Sequence, residues 1–161
     1  MSIAAALLAF SLQVTAPAQV APPQPQYEVT DADFVARDVT FRSGEHLDEV
    51  RIHYATLGRP HRNRRGEIDN AVMLLHGTGG SGRQFLSPQF ANELFGPGQP
   101  LDINRYWIIL PDNIGHGRSS KPSDGLHMRF PAYDYDDMVA LQHRLLTERL
   151  RVRHARLILG T

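Results

Sequence analysis

Four glycines fall within six residues at Gly77-Thr78-Gly79-Gly80-Ser81-Gly82, directly behind His76. Glycine lets a backbone turn sharply and lets a ligand approach bare N–H groups. Two chemistries use such groups. One is the cradling of a phosphate, for which the segment formally matches G-x-G-x-x-G. The other is stabilisation of the oxyanion in acyl transfer, where a single backbone or side-chain donor is worth about 2.7–4 kcal/mol in the transition state. In that second reading the strand end His76-Gly77 presents the backbone N–H of Thr78, and Gly77 and Gly79 shape the loop. A dinucleotide fingerprint also requires a helix opening at its last glycine and an acidic residue about twenty positions on, at the end of the next strand. Asp102 has about that spacing but precedes the next apolar run, and Arg83-Gln84-Phe85-Leu86-Ser87-Pro88 does not run cleanly into a helix. The oxyanion reading is therefore preferred, with a dinucleotide-binding module as an alternative.

Other reactive side chains narrow the chemistry. The chain has no cysteine, which excludes disulfides, thiolate zinc sites and cysteine nucleophiles. Its eight histidines are scattered without zinc-type spacing, so no metal and no cofactor is expected. Ser81 lies in the glycine loop without an identifiable base beside it. His116, between two glycines, reads as a loop histidine without a catalytic role, and His143 as a surface or boundary residue.

Three short apolar runs must position these groups: Ala71 to Leu75, Tyr106 to Leu110 and Arg156 to Leu159. Each reads as a buried strand. Loop-plus-helix segments separate them, with helical signals at Pro88 to Phe95 and Tyr133 to Leu150. In the longer helix Met138, Leu141, Leu145 and Leu150 recur near one face. Strands so spaced imply an α/β fold, with a parallel sheet and crossover helices. Upstream, Val39-Thr40-Phe41, a turn at Ser43-Gly44-Glu45 and the alternating Val50 to Thr56 predict an antiparallel hairpin at a sheet edge. The arginines of Gly58 to Asp69 read as a solvated loop, because the run is short, lacks aromatics and is followed by Glu67 and Asp69. Pro111 to Ala132 is a long connection of the kind that often carries function.

The 161 residues suffice for one modest domain, and the formal net charge is zero, which argues against nucleic acid or acidic membranes as partners. No transmembrane span is visible. Met1 to Gln26 carries no charged residue; Ile3 to Leu12 is a short apolar run and Ala16-Pro17-Ala18 an A-x-A site. Residues 1–18 are thus expected to be a signal peptide, 19–32 a linker and 33–161 the structured part, in an exported or periplasmic protein, with a cytoplasmic location as the alternative.

His76-Gly77, followed after a helix-sized gap by Asp112-x-x-Gly115-x-Gly117-x-Ser119-x-x-Pro122, resembles the α/β-hydrolase superfamily, in its strand-end oxyanion motif and in the loop after its next strand. Phe41-x-Ser43-Gly44-x-x-Leu47 and Tyr54-x-Thr56-x-Gly58 are similar to the amino-terminal strands of homoserine O-acetyltransferases and their relatives. Those enzymes usually read His-Ala-Leu-Thr-Gly where this chain has His-Gly-Thr-Gly-Gly, so the resemblance implies a homoserine-acetyltransferase-like hydrolase. It covers about Asp33 to Thr161 and implies the amino-terminal half of an α/β-hydrolase domain. The resemblance also implies a substrate-side loop of His76, Asp112, Gly115, Gly117 and Ser119, a small-molecule ester or acyl substrate, and a serine nucleophile in G-x-S-x-G. That motif is absent, but Leu157-Ile158-Leu159-Gly160-Thr161 looks like its approach, so the nucleophile is expected as the next residue, with the acid and histidine further on. The 161 residues alone are then expected to be inactive, and their last strand to leave an apolar edge that favours poor solubility or a complementing chain. A non-catalytic binding or assembly module is the rival reading.

Overall fold

A computed structural model describes residues 27–161. A five-stranded mixed sheet is formed by β1 (Val29–Thr40), β2 (His46–Leu57), β3 (Ala71–Leu75), β4 (Trp107–Pro111) and β5 (Leu157–Gly160), in the order β1-β2-β4-β3-β5. β1 and β2 form an antiparallel hairpin at one edge, and β2 runs antiparallel to β4. β3 is parallel to both β4 and β5. The α/β architecture, with its amino-terminal hairpin and parallel strands, is the one expected from the sequence.

Strands β3 and β4 are apolar throughout because both faces of the sheet are covered there. On one face Phe34, Val50, Ile52, Met73 and Ile109 pack with Leu141 and Leu145 of the helical segment 135–149. On the other Leu57, Val72, Leu74, Ile108 and Leu110 pack with Phe85, Ala91 and Phe95 around α1 (Pro88–Leu94). Helix α2 (Tyr135–Arg144) starts at a reciprocal cap: the Asp134 carboxylate accepts from the N–H groups of Asp136 and Asp137, while that of Asp137 accepts from Asp134 N–H. It continues as a π-helical turn over Leu145–Arg149, so the apolar stripe of Leu141, Leu145 and Leu150 stays buried. Met138 on that stripe is half-buried.

Two expectations are corrected. β1 begins at Val29, so residues 29–32 of the expected linker belong to a strand. Inward side chains pass from Phe34 and Ala36 to Val39 because Asp38 sits in the left-handed region at φ 52°, which breaks the alternation that sequence reading relies on. β5 is not buried: Leu157, Ile158 and Leu159 are 41%, 53% and 42% exposed. It is the edge strand, paired to β3, and neither core cluster includes its side chains. The expected signal peptide lies outside the described residues. Among the described residues no helix is long and apolar enough to cross a membrane.

Candidate active site

The glycine loop leaves the carboxyl end of β3, where open α/β sheets bind ligands. Gly80 N–H donates to the Gly77 carbonyl at 3.1 Å, closing a tight turn with Thr78 and Gly79 at its centre. Gly79 has φ +78° and Thr78 does not have a positive φ, the pattern of a type II turn, whose third position favours glycine. Among the described residues none accepts a hydrogen bond from the Thr78 N–H, and Thr78 is exposed. A small cavity of about 170 Å³ opens here, lined by His76, Gly77, Thr78, Asn113, His116, Tyr135, Met138 and Thr161.

Two consecutive residues at the end of β4 hold the two ends of this loop. Asn113 N–H donates to Nε2 of buried His76 at 3.0 Å, and His76 Nδ1 lies 2.9 Å from the Gly77 carbonyl oxygen. Asp112 Oδ1 accepts from Gly82 N–H at 2.7 Å, and its Oδ2 accepts from Arg118 N–H at 2.7 Å. Ser119 is fully buried; its hydroxyl donates to the Asp112 carbonyl at 2.7 Å and accepts from His53 N–H at 2.9 Å. Gly117 has φ +52°, and a Cβ there would run into the Asp112 carboxylate.

The expected substrate-side loop therefore divides. His76, Gly77 and Thr78 line the cavity. Asp112, Gly115, Gly117 and Ser119 do not; the Asp112 carboxylate and the Ser119 hydroxyl are spent on backbone partners, and through Asp112 the motif braces the glycine loop. Gly79 shapes the turn without lining the cavity. His116 lines it, with its ring centroid 5.3 Å from that of His76. His143 is exposed, as expected. Sequence reasoning missed Asn113 and Tyr135. Asn113 occupies an unassigned position inside the Asp112 motif, and Tyr135 carries no periodic signal because it is an exposed residue in the first turn of α2.

Phosphate cradling finds no support here. Gly82 opens a five-residue 3-10 segment, too short for a dinucleotide-binding helix. Asp102 is consumed by its own loop, accepting from the N–H groups of Gly98 and Asn104 at 2.8 Å each. Those donors, Gly98 first, hold its carboxyl below the usual value.

No protein-family model matches the chain. It is 32% identical over 135 residues to the "Probable acyltransferase" of Methanothermobacter thermautotrophicus, covering 83% of this chain and 41% of that protein. It is 33% identical over 124 residues to a homoserine O-acetyltransferase of Carboxydothermus hydrogenoformans, covering 68% and 32% respectively. The crystal structure of homoserine O-acetyltransferase from Staphylococcus aureus superposes with a TM-score of 0.68 at 20% identity, over 83% of this chain and 39% of that one. The chain thus spans less than half the length of these relatives. With the strand order, the hairpin and the glycine loop at the end of β3, these similarities lead to one conclusion: over the part it covers, the chain has the fold of α/β-hydrolases and is similar in sequence to acyltransferases and homoserine O-acetyltransferases.

Proposed function

We propose that this chain supplies the oxyanion-stabilising half of an acyl-transfer site whose serine nucleophile follows Thr161 in the longer protein. The observation that carries the reading is the unpartnered Thr78 N–H at the cavity. The position of Thr161 supports it: its N–H donates to the Leu75 carbonyl at 3.1 Å, and a Cβ on Gly77 would lie 3.0 Å from its carbonyl oxygen. A residue after Thr161 would emerge beside the Gly77–Thr78 peptide. There a serine oxygen, giving its proton to the histidine expected further along the longer protein, adds to the substrate carbonyl carbon, the π electron pair moves onto oxygen, and the Thr78 N–H donates to that oxyanion. As the C=O bond re-forms the bond to the ester oxygen breaks, the histidine returns the proton to that oxygen, and the alcohol leaves; water or an acceptor hydroxyl then takes the acyl group from the serine by the same steps in reverse.

The hydrolase outcome is favoured by the His-Gly-Thr-Gly-Gly loop. Neither serine of the two loops, Ser81 or Ser119, is set up as a nucleophile. Ser119 is buried with its hydroxyl committed to backbone partners. Ser81 caps the 3-10 segment without a side-chain hydrogen bond. Residues 19–161 are therefore expected to leave short-chain p-nitrophenyl esters intact and to take no fluorophosphonate label, while the protein continued through its nucleophile does both. Stoichiometric labelling of Ser81 or Ser119 would overturn the reading. Export rests on the uncharged leader and Ala16-Pro17-Ala18; amino-terminal sequencing of expressed protein should find Gln19 first, and an intact Met1 would count against it.

A further inference from the structure

The Thr78 N–H serves as a donor only if the Gly77–Thr78 peptide is held in one orientation. The contacts that hold it run through a buried side chain that the acyl-transfer chemistry does not use. His76 is 5% exposed. Its Nε2 faces the backbone nitrogen of Asn113, which can only donate, so Nε2 is the unprotonated acceptor. The imidazole proton then sits on Nδ1, against the Gly77 carbonyl oxygen, which can only accept. Two backbone partners of opposite kind thus select the tautomer. The same carbonyl accepts from Gly80 N–H, so two donors pin it from the loop side. The Gly77–Thr78 peptide is trans, as are all peptides among the described residues, so the Thr78 N–H lies antiparallel to the pinned carbonyl and points away from both donors. Behind this, buried Gln142 of α2 donates through Nε2 to Oδ1 of buried Asn113. A continuous chain of hydrogen bonds and covalent backbone links α2 to the peptide that carries the donor.

We propose that His76 is a positioning residue, neutral in its Nδ1–H tautomer, that orients the Thr78 N–H through the Gly77 carbonyl, with Asn113 and Gln142 holding the imidazole from behind. The inference rests on the reading of Thr78 as the oxyanion donor. An Nε2–H here would face the Asn113 N–H, donor against donor.

The test begins with the intact 161-residue chain, labelled with 15N. Long-range imidazole correlations should show the His76 proton on Nδ1 and none on Nε2 at neutral pH; an Nε2–H tautomer or a doubly protonated ring overturns the proposal. Two near-isosteric variants then separate the bonds. His76→Asn keeps an N–H near the Nδ1 position, and His76→Gln keeps an acceptor near the Nε2 position but no donor to Gly77. The Thr78 and Gly80 amide resonances should stay near wild type in the asparagine variant and move in the glutamine variant. In the protein continued through its nucleophile, kcat should fall about tenfold or more in His76→Gln at nearly unchanged KM, and His76→Asn should recover most of it. Wild-type kcat in His76→Gln, while Thr78→Pro is crippled, overturns the role of His76. Wild-type kcat in both overturns the oxyanion reading beneath it.

Discussion

The Asp112 carboxylate reaches across from β4 to the far end of the glycine loop, where its Oδ1 accepts the Gly82 N–H at 2.7 Å while Oδ2 accepts the Arg118 N–H at the same distance. One side chain thereby ties two loops together by charge-assisted bonds, the strong kind. An amide in its place offers one acceptor and turns an N–H₂ toward the second donor. Asp112→Asn should therefore cost about 2–3 kcal/mol of stability, measured as a shift in the urea unfolding midpoint at constant slope. An unchanged midpoint would contradict the bracing role.

Gly117 is required by the same carboxylate. Its φ of +52° strains any larger residue, and a Cβ would enter the space of Asp112. Gly98 is a built-in control, with φ +77° and nothing within 4 Å of an added Cβ. Gly117→Ala should destabilise by about 2 kcal/mol or more and Gly98→Ala by about 1 kcal/mol. Equal losses in thermal or urea unfolding would show that crowding against Asp112 is not felt.

These two residues also show what the sequence could and could not reveal. The spacing Asp112-x-x-Gly115-x-Gly117-x-Ser119 marks a built loop, but a string of letters does not say which way a carboxylate points. Asp112 and Ser119 are polar types that read as substrate contacts, and they are buried because backbone N–H and C=O groups of the loop and of β2 saturate them. The strands β3 and β4 were legible because burial on both faces makes them continuously apolar. Most of β1 was not, because three aspartates interrupt it and the left-handed Asp38 shifts its inward face. The glycine loop at the end of β3 was legible from its glycines; the cavity wall was not, because Asn113, Tyr135 and Met138 come together only through the packing of α2 above the end of β4.

Acid should weaken the fold partly through Asp102. Its folded pKa lies below the ordinary value, owing first to the Gly98 N–H and then to Asn104. The unfolded chain therefore binds the proton more readily. The stabilisation is complete above the ordinary aspartate value of about 4 and is lost as pH falls through the lower folded value. Asp102→Asn should be less stable than wild type at neutral pH and should lose less on acidification, seen as a shallower fall of the urea midpoint between about pH 5 and pH 3. Parallel curves would remove Asp102 from the acid response.

Along β5, Leu157, Ile158 and Leu159 form an exposed apolar edge beside unpaired backbone groups. Such edges template association. The 161-residue chain should self-associate with rising concentration, and Ile158→Lys should reduce this without altering the far-ultraviolet spectrum. Sedimentation velocity distinguishes the cases; a strictly monomeric chain at all concentrations would contradict the expectation.

The central claim is that Thr78 acts through its backbone N–H and not its hydroxyl. Proline suits the second position of a type II turn, where Thr78 sits, and it removes only the N–H. The decisive measurement compares kcat of Thr78→Ala and Thr78→Pro in the protein continued through its nucleophile. The account predicts near-wild-type turnover for alanine and a loss of about a hundredfold or more for proline. Equal turnover in the two variants would contradict it.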